Sequence, residues 1–238
     1  MNLKKFIIRL LICFMILLAG SKGLFEVSKL RNFQFFGELI NRVETSEKIV
    51  ALTFDDGPLP QQEEVLKILS EKKVPATFYV MGANIEKHPE EMKEIVASGH
   101  EVGNHSYSHE RFLLKSQEFI ADEIEKTNQL IRDAGYTGDI TFRPPNGKKL
   151  FGLPWYLSKH DIKTIMWDVE PDTYYQGNAE AMVMYTLKNM KPGSIILMHP
   201  FCGEICTSDR QALPEIIDEL KKQGYTFVTI QQLLSKHP

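Results

Sequence analysis

The chain is poor in several things. It has three cysteines in 238 residues, too few for a disulfide scaffold. It has no excess of basic charge: 28 Lys and Arg stand against 31 Asp and Glu, a net charge of −3. That balance offers no basic face and argues against nucleic acid as a partner. There is no internal repeat, no low-complexity tract and no Gly/Ser linker. With 43 % apolar and 25 % charged residues, the composition excludes a disordered chain and a polytopic membrane protein. The length suits one domain, and we expect a monomer.

The one long apolar run lies at the start. Lys4, Lys5 and Arg9 precede an uncharged stretch from Leu10 to Ala19. A basic start followed by such a stretch reads as an export signal. Ala19-Gly20-Ser21 offers small residues for cleavage, although Lys22 follows; an uncleaved signal anchor is the alternative. No Cys sits just after the run, so it carries no lipoprotein signal. A buried core helix would carry a polar face, and Leu10–Ala19 has none. The expected divisions are 1–21 as signal or anchor, 22–47 as linker and β-hairpin lead-in, and 48–238 as catalytic domain. The hairpin is read from Leu39–Val43, a turn over 44–47, and a strand from Lys48. The domain is therefore expected outside the cytoplasm, membrane-anchored or associated with the cell wall. There Cys202 and Cys206 could pair across a short loop or remain free thiols.

From Lys48 onward, strand-like and helix-like runs alternate. The strands are Ile49–Phe54, Ala76–Val80, Glu101–Asn104, Ile140–Phe142, Lys163–Trp167, Ser194–Met198 and Thr226–Val228. The helices are Gln62–Glu71, Glu90–Ala97, Ser116–Ala134, Pro154–Lys159, Ala179–Asn189 and Leu213–Gln223. Ser116–Ala134 carries apolar residues at spacings of three and four. Alternation of this kind predicts an α/β fold with a parallel sheet. Residues 48–238 fall short of the roughly 200 that a full (β/α)8 barrel needs. The expectation is an irregular or incomplete barrel of about seven parallel strands.

Five polar clusters fall at predicted strand C-terminal ends, the face where parallel α/β barrels do chemistry. They are Asp55-Asp56-Gly57-Pro58, His105 to His109, Arg143-Pro144-Pro145, Asp168 to Asp172, and His199. Two imidazoles with one carboxylate form a common open zinc site, and a helical turn would bring His105 and His109 to one face. Asp55 or Asp56 supplies the carboxylate. Adjacent carboxylates cannot both ionise comfortably in a dry pocket, and a metal resolves this by fixing one as an anion while the other handles protons. The plainer readings are a polar loop for the histidines and a helix cap or turn for Asp-Gly-Pro. His88, His100, His160 and His237 sit in helical or turn contexts and read as structural.

Thr53-Phe54-Asp55-Asp56-Gly57-Pro58, His105-Ser106-Tyr107-Ser108-His109, Arg143-Pro144-Pro145-Asn146-Gly147 and Leu197-Met198-His199, in this order, resemble the polysaccharide deacetylases (NodB-homology domain, carbohydrate esterase family 4). The resemblance covers about Lys48 to Leu234. It implies Asp55 as catalytic base and Asp56, His105 and His109 as ligands of one divalent ion, zinc first, with cobalt or nickel as alternatives. It implies Arg143 as the residue that holds the base, His199 as the acid that protonates the leaving amine, and Leu197 as an apolar wall near the acetyl methyl. Pro58, Asn146 and Tyr174 join Leu197 about the substrate. That substrate would be a glycan with N-acetylated sugars, peptidoglycan or a chitin-like oligosaccharide. The rivals are an O-acetyl xylan esterase and a non-catalytic wall-binding domain.

Two motifs depart from the family pattern. Asn146 stands where an aromatic residue is usual. The fourth motif, usually Asp-x-x-Asp-Trp, here reads Trp167-Asp168-Val169-Glu170-Pro171-Asp172-Thr173-Tyr174. Glu170 is a candidate for the first Asp and Tyr174 for the Trp. Asp172 lies one residue early and is the expected partner of His199, with Asp168 as its rival.

Overall fold

The structure, a computed structural model, describes residues 3–236, so His237 lies outside it. In chain order the elements are α1 (Leu3–Ser28), β1 (Leu39–Ile40), β2 (Ile49–Gly57), α2 (Gln62–Lys72), β3 (Thr77–Val80), α3 (Gly82–Lys87), α4 (Pro89–Ala97), β4 (Glu101–Asn104) and α5 (Gln117–Asp133). Then come α6 (Gly152–Lys159), β5 (Thr164–Ile165), α7 (Pro171–Tyr175), α8 (Ala179–Asn189), β6 (Ile195–Met198), α9 (Thr207–Lys222), β7 (Thr226–Val228) and α10 (Ile230–Leu234). The alternation read from the sequence gives an α/β fold whose named strand pairs are all parallel.

β2 is the central strand. The sheet runs β4-β3-β2-β6, and β7 pairs with the first three residues of β2. Single bridges carry the parallel pairing onward, from Asn104 to Phe142, from Phe142 to Thr164, and from Val169 back to Ile196. Both faces of β2 are buried. Val50, Leu52 and Phe54 join one apolar cluster, while Ile49 and Ala51 join the other. Such two-sided burial is expected of a parallel strand covered on both faces.

The expected lead-in hairpin does not form. β1 pairs parallel with β5, and the Val43 N–H bonds to the Gly193 carbonyl. The reason lies in β2, whose two edges are taken by β6 and by β7 with β3. No edge is left for residues 39–43, whose Ile40 and Val43 instead bury among Ile165, Trp167 and Ile195. The expected strand Ile140–Phe142 shrinks to the bridges of Phe142, and α9 starts six residues before the expected Leu213.

α1 contains a stretch, Ile7–Ser28, long and apolar enough by length and composition to cross a membrane. At 1.5 Å per residue its 22 residues span about 33 Å. None of this stretch is buried against the domain along its apolar part, unlike a core helix. Residues 28–38, by contrast, do not form a free linker. The Lys149 N–H bonds to the Ser28 carbonyl, and the buried Lys149 ammonium reaches the Leu30 carbonyl. Phe36 packs edge-on against Trp155.

Candidate active site

Alternation along a strand would send Asp55 and Asp56 to opposite faces. A bulge prevents this. The pairing of β2 with β3 shifts register between Asp55 and Gly57, and Asp56 has φ +69°. A bulge re-aims side chains in this way, and both carboxylates come to face His105.

His105 and His109 meet across a loop rather than on the expected helical turn. Ser106 and His109 both have positive φ, which folds the segment back on itself. The loop is held from below. The Asn104 side chain accepts from the Ser106 N–H, and the buried Glu123 of α5 accepts from the N–H groups of Tyr107 (3.0 Å) and Ser108 (2.8 Å). His105 Nδ1 donates to the Arg143 carbonyl at 2.7 Å, since a carbonyl can only accept. This fixes the orientation of the ring and turns Nε2 toward the carboxylates. His105 Nε2 lies 3.5 Å and His109 Nε2 3.3 Å from Asp56 Oδ1.

One ligand atom from each of Asp56, His105 and His109 falls within 4.8 Å of the others. Asp56 Oδ1 is buried and has no hydrogen-bond partner. A buried carboxylate oxygen without a donor is costly, and a cation between it and two imidazoles satisfies it. Burial pulls His109 below its ordinary value, and the neighbouring His105 adds to this, which favours the neutral, ligating imidazole. The donor set therefore fits a divalent ion.

Asp55 is the buried member of the pair. Its Oδ1 accepts from Arg143 Nη1 at 2.8 Å, and its Oδ2 lies 3.6 Å from His105 Nε2. Arg143 is fully buried. It also donates to Thr53 Oγ1 and to the carbonyls of Ile165 and Met166, and it stacks 4.1 Å from the Tyr79 ring. Burial pushes the Asp55 carboxyl up, but the charges of Arg143, His105 and His199 and the Arg143 hydrogen bond outweigh it. Asp55 thus sits below the ordinary carboxylate range.

Across the cleft, His199 directly follows β6. Asp172 Oδ2 accepts from both its Nδ1 (2.9 Å) and its backbone N–H (2.5 Å). Asp168 does not reach it. That carboxylate accepts instead from Ser194 Oγ and the Ile195 N–H, 2.8 and 2.9 Å away. Burial alone would lower His199, but Asp172 first, then Asp55 and Asp56, raise it to about 10. Sequence reasoning missed Asp209. It is buried on the first turn of α9 in a cavity shared with Asp172 and His199. Burial and the Asp172 charge push it up to about 6.

Asp55, Asp56, His105, His109, Asn146, Leu197 and His199 line one cleft of about 490 Å³. Asn146 adopts φ +55°, a left-handed conformation that Asn tolerates and aromatic residues resist, and it accepts from Arg111 Nε. Two expected substrate residues are not on this wall. Pro58 is buried, and the neighbouring Leu59 lines a cavity with Asp55, His109 and His199. Tyr174 is 57 % exposed and packs on Tyr185. The aromatic ring in the cleft is that of Trp167, whose Nε1 donates to Glu170. The other histidines with described positions lie elsewhere. His88 faces Glu91, His160 bonds to the Tyr156 carbonyl, and His100 accepts from the Ala76 N–H. Cys202 and Cys206 form a disulfide, Cα atoms 5.3 Å apart, just after His199.

The sequence profile described as Polysaccharide deacetylase matches residues 42–165. A peptidoglycan-N-acetylglucosamine deacetylase of Bacillus cereus is 33 % identical over 195 residues, 81 % of this chain and 91 % of the relative. A solved peptidoglycan N-acetylglucosamine deacetylase, in complex with an N-hydroxybenzamide, superposes with a TM-score of 0.77 at 32 % identity, covering 81 % of this chain and 91 % of that one. A pseudoenzyme of carbohydrate esterase family 4 from Bacillus anthracis superposes with a TM-score of 0.75 at 31 % identity, covering 82 % and 68 %. The fold thus occurs without activity, and activity has to be argued from the site itself.

Proposed function

Because the chain belongs to the polysaccharide deacetylase family, we propose that it hydrolyses the N-acetyl groups of N-acetylglucosamine-type sugars in an extracytoplasmic glycan, with peptidoglycan as the leading candidate. The observation that carries this reading is the buried, unpartnered Asp56 Oδ1 facing two imidazoles, beside a second Asp that Arg143 keeps ionised. A binding module would need none of these groups. The circuit of pairing through Phe142 and Val169 supports an irregular barrel with the cleft at its C-terminal face. The apolar helix and the disulfide support an exported domain, with 1–21 as signal or anchor.

Asp56, His105 and His109 would hold one divalent ion, zinc in our reading. When bound, it supplies Lewis-acid polarisation of the acetyl carbonyl and lowers the pKa of water. Asp55 takes a proton from the attacking water as the new carbon–oxygen bond forms. Arg143 keeps Asp55 ionised and fixed for that task. Leu197 offers an apolar wall to the acetyl methyl. As the carbon–nitrogen bond breaks, His199 donates its proton to the leaving amine, and acetate and a free amino sugar result.

The test is acetate release by the purified protein, with and without zinc, from peptidoglycan, N-acetylglucosamine oligomers and acetylated xylan. We expect release from the N-acetylated polymers, dependent on metal. Release from xylan alone would replace the reading with an O-acetyl esterase. No release from any substrate with metal bound would leave a non-catalytic domain.

His199 must be protonated to act, so kcat/KM falls as pH rises through its pKa. A cation at Asp56 offsets the contribution of that carboxylate, which leaves Asp172 as the main group holding the value up. Asp172→Asn removes that charge, and the alkaline limb moves to lower pH. Asp168→Asn leaves the limb in place, because Asp168 serves the β6 backbone. Measured profiles in which only the Asp168 variant shifts would reverse the assignment.

A further inference from the structure

One wall of the cleft comes from outside the motifs. Lys29 and Arg31, directly after α1, line the same cleft as Asp55, His105 and His199, with Lys148 beside them. The segment is firmly held there. Arg31 stacks 4.7 Å from the Trp167 ring and pairs with Glu170, and Lys149 grips the backbone at Ser28 and Leu30.

The charges on this wall do not cancel. Arg31 is neutralised by Glu170 and Arg143 by Asp55. Lys29 and Lys148 remain, both over the ring of Phe25, at 4.4 and 5.2 Å. The acid paired with Lys29 is Glu26, and that pair is largely exposed, 58 % on the Glu side. An exposed pair of this kind is worth little and yields readily to another carboxylate. Burial lowers Lys148, and the repulsion of Lys29 and Arg111 adds to it, so the cluster is short of negative charge.

We propose that Lys29 and Lys148, set in place by Arg31 and Lys149, form a cationic wall of the substrate cleft that recognises carboxylates on the glycan next to the sugar being deacetylated. This rests on the deacetylase reading above and narrows its substrate to an anionic N-acetylated glycan. A neutral polymer of N-acetylglucosamine offers the wall no partner. Anionic lipid headgroups are the competing ligand, but these ammonium groups line a concave cleft with the reacting residues.

The experiment uses the full chain in neutral detergent. It compares kcat/KM on a soluble peptidoglycan fragment bearing free carboxylates with kcat/KM on an N-acetylglucosamine oligomer of equal length. The wild-type ratio should favour the anionic fragment and fall as salt rises. In Lys29→Gln/Lys148→Gln the ratio should drop about tenfold, the scale of two partly exposed ion pairs. Lys149→Met, which frees the segment without touching either wall charge, should lower the ratio too, with thermal melts confirming that each variant is folded. An unchanged ratio in folded variants that still act on both substrates overturns the proposal and leaves the deacetylase reading standing. Inactivity of the wild type on both substrates overturns the two together. A loss of binding to phosphatidylglycerol vesicles with an unchanged ratio would assign the lysines to lipid.

Discussion

Asp55→Asn keeps its metal and loses about 10²–10⁴-fold in kcat/KM, the usual effect of removing a general base. The amide cannot accept a proton from water, but its oxygen still accepts from Arg143, as Asp55 Oδ1 does. Leaving Arg143 without its countercharge destabilises the fold, and breaking a buried ion pair by losing one partner costs about 3–5 kcal/mol. The amide variant retains the hydrogen bond and should lose less than that, which a thermal melt would measure. Asp56→Asn behaves in the opposite order. Its Oδ1 has no hydrogen-bond donor to lose, and metal affinity falls first. Metal content measured beside kinetics separates the two residues; metal lost from Asp55→Asn and kept by Asp56→Asn would exchange their roles.

The double variant His105→Ala/His109→Ala removes two of three ligand groups, and we expect loss of both stoichiometric metal and activity. The domain should still fold. His105 makes one hydrogen bond to backbone, and the loop is fastened independently by Asn104 and Glu123. Excess zinc should not restore turnover. One equivalent of tightly held metal in the folded double variant would refute the assignment of these residues as the site.

How much of this can be read in advance follows from the range of the interactions. The motif residues of the cleft lie at strand ends, where the alternation of strands and helices already gathers them on one face. Asp172 is legible because the shift in its motif moves it by a single residue. In the structure Asp172 lies in the first turn of α7, which starts at Pro171. The hairpin expectation fails for the opposite reason: nothing within 39–57 says that β2 would have both edges filled by strands more than twenty residues away. Position along the chain matches Tyr174 to a missing Trp. The aromatic ring that lines the cleft is that of Trp167, upstream and fixed by Glu170. Lys29 and Arg31 read as linker because their role depends on Lys149 and Trp167, more than a hundred residues on. The spacing of His105 and His109 suggests a helical turn, whereas two positive φ values bring the rings together instead.

The disulfide after His199 has a consequence for counting metal. Cys202 lines the same cavity as Asp56, His109 and His199. Thiolates are among the strongest protein ligands for zinc. In a preparation made under reducing conditions, Cys202 becomes a sulfur donor in the cavity of Asp56 and His109, with the Cys206 thiol close by in sequence. Such protein should take up zinc beyond one equivalent, or draw it away from Asp56. Oxidation ties both sulfurs to each other, so stoichiometry is best measured on the oxidised protein.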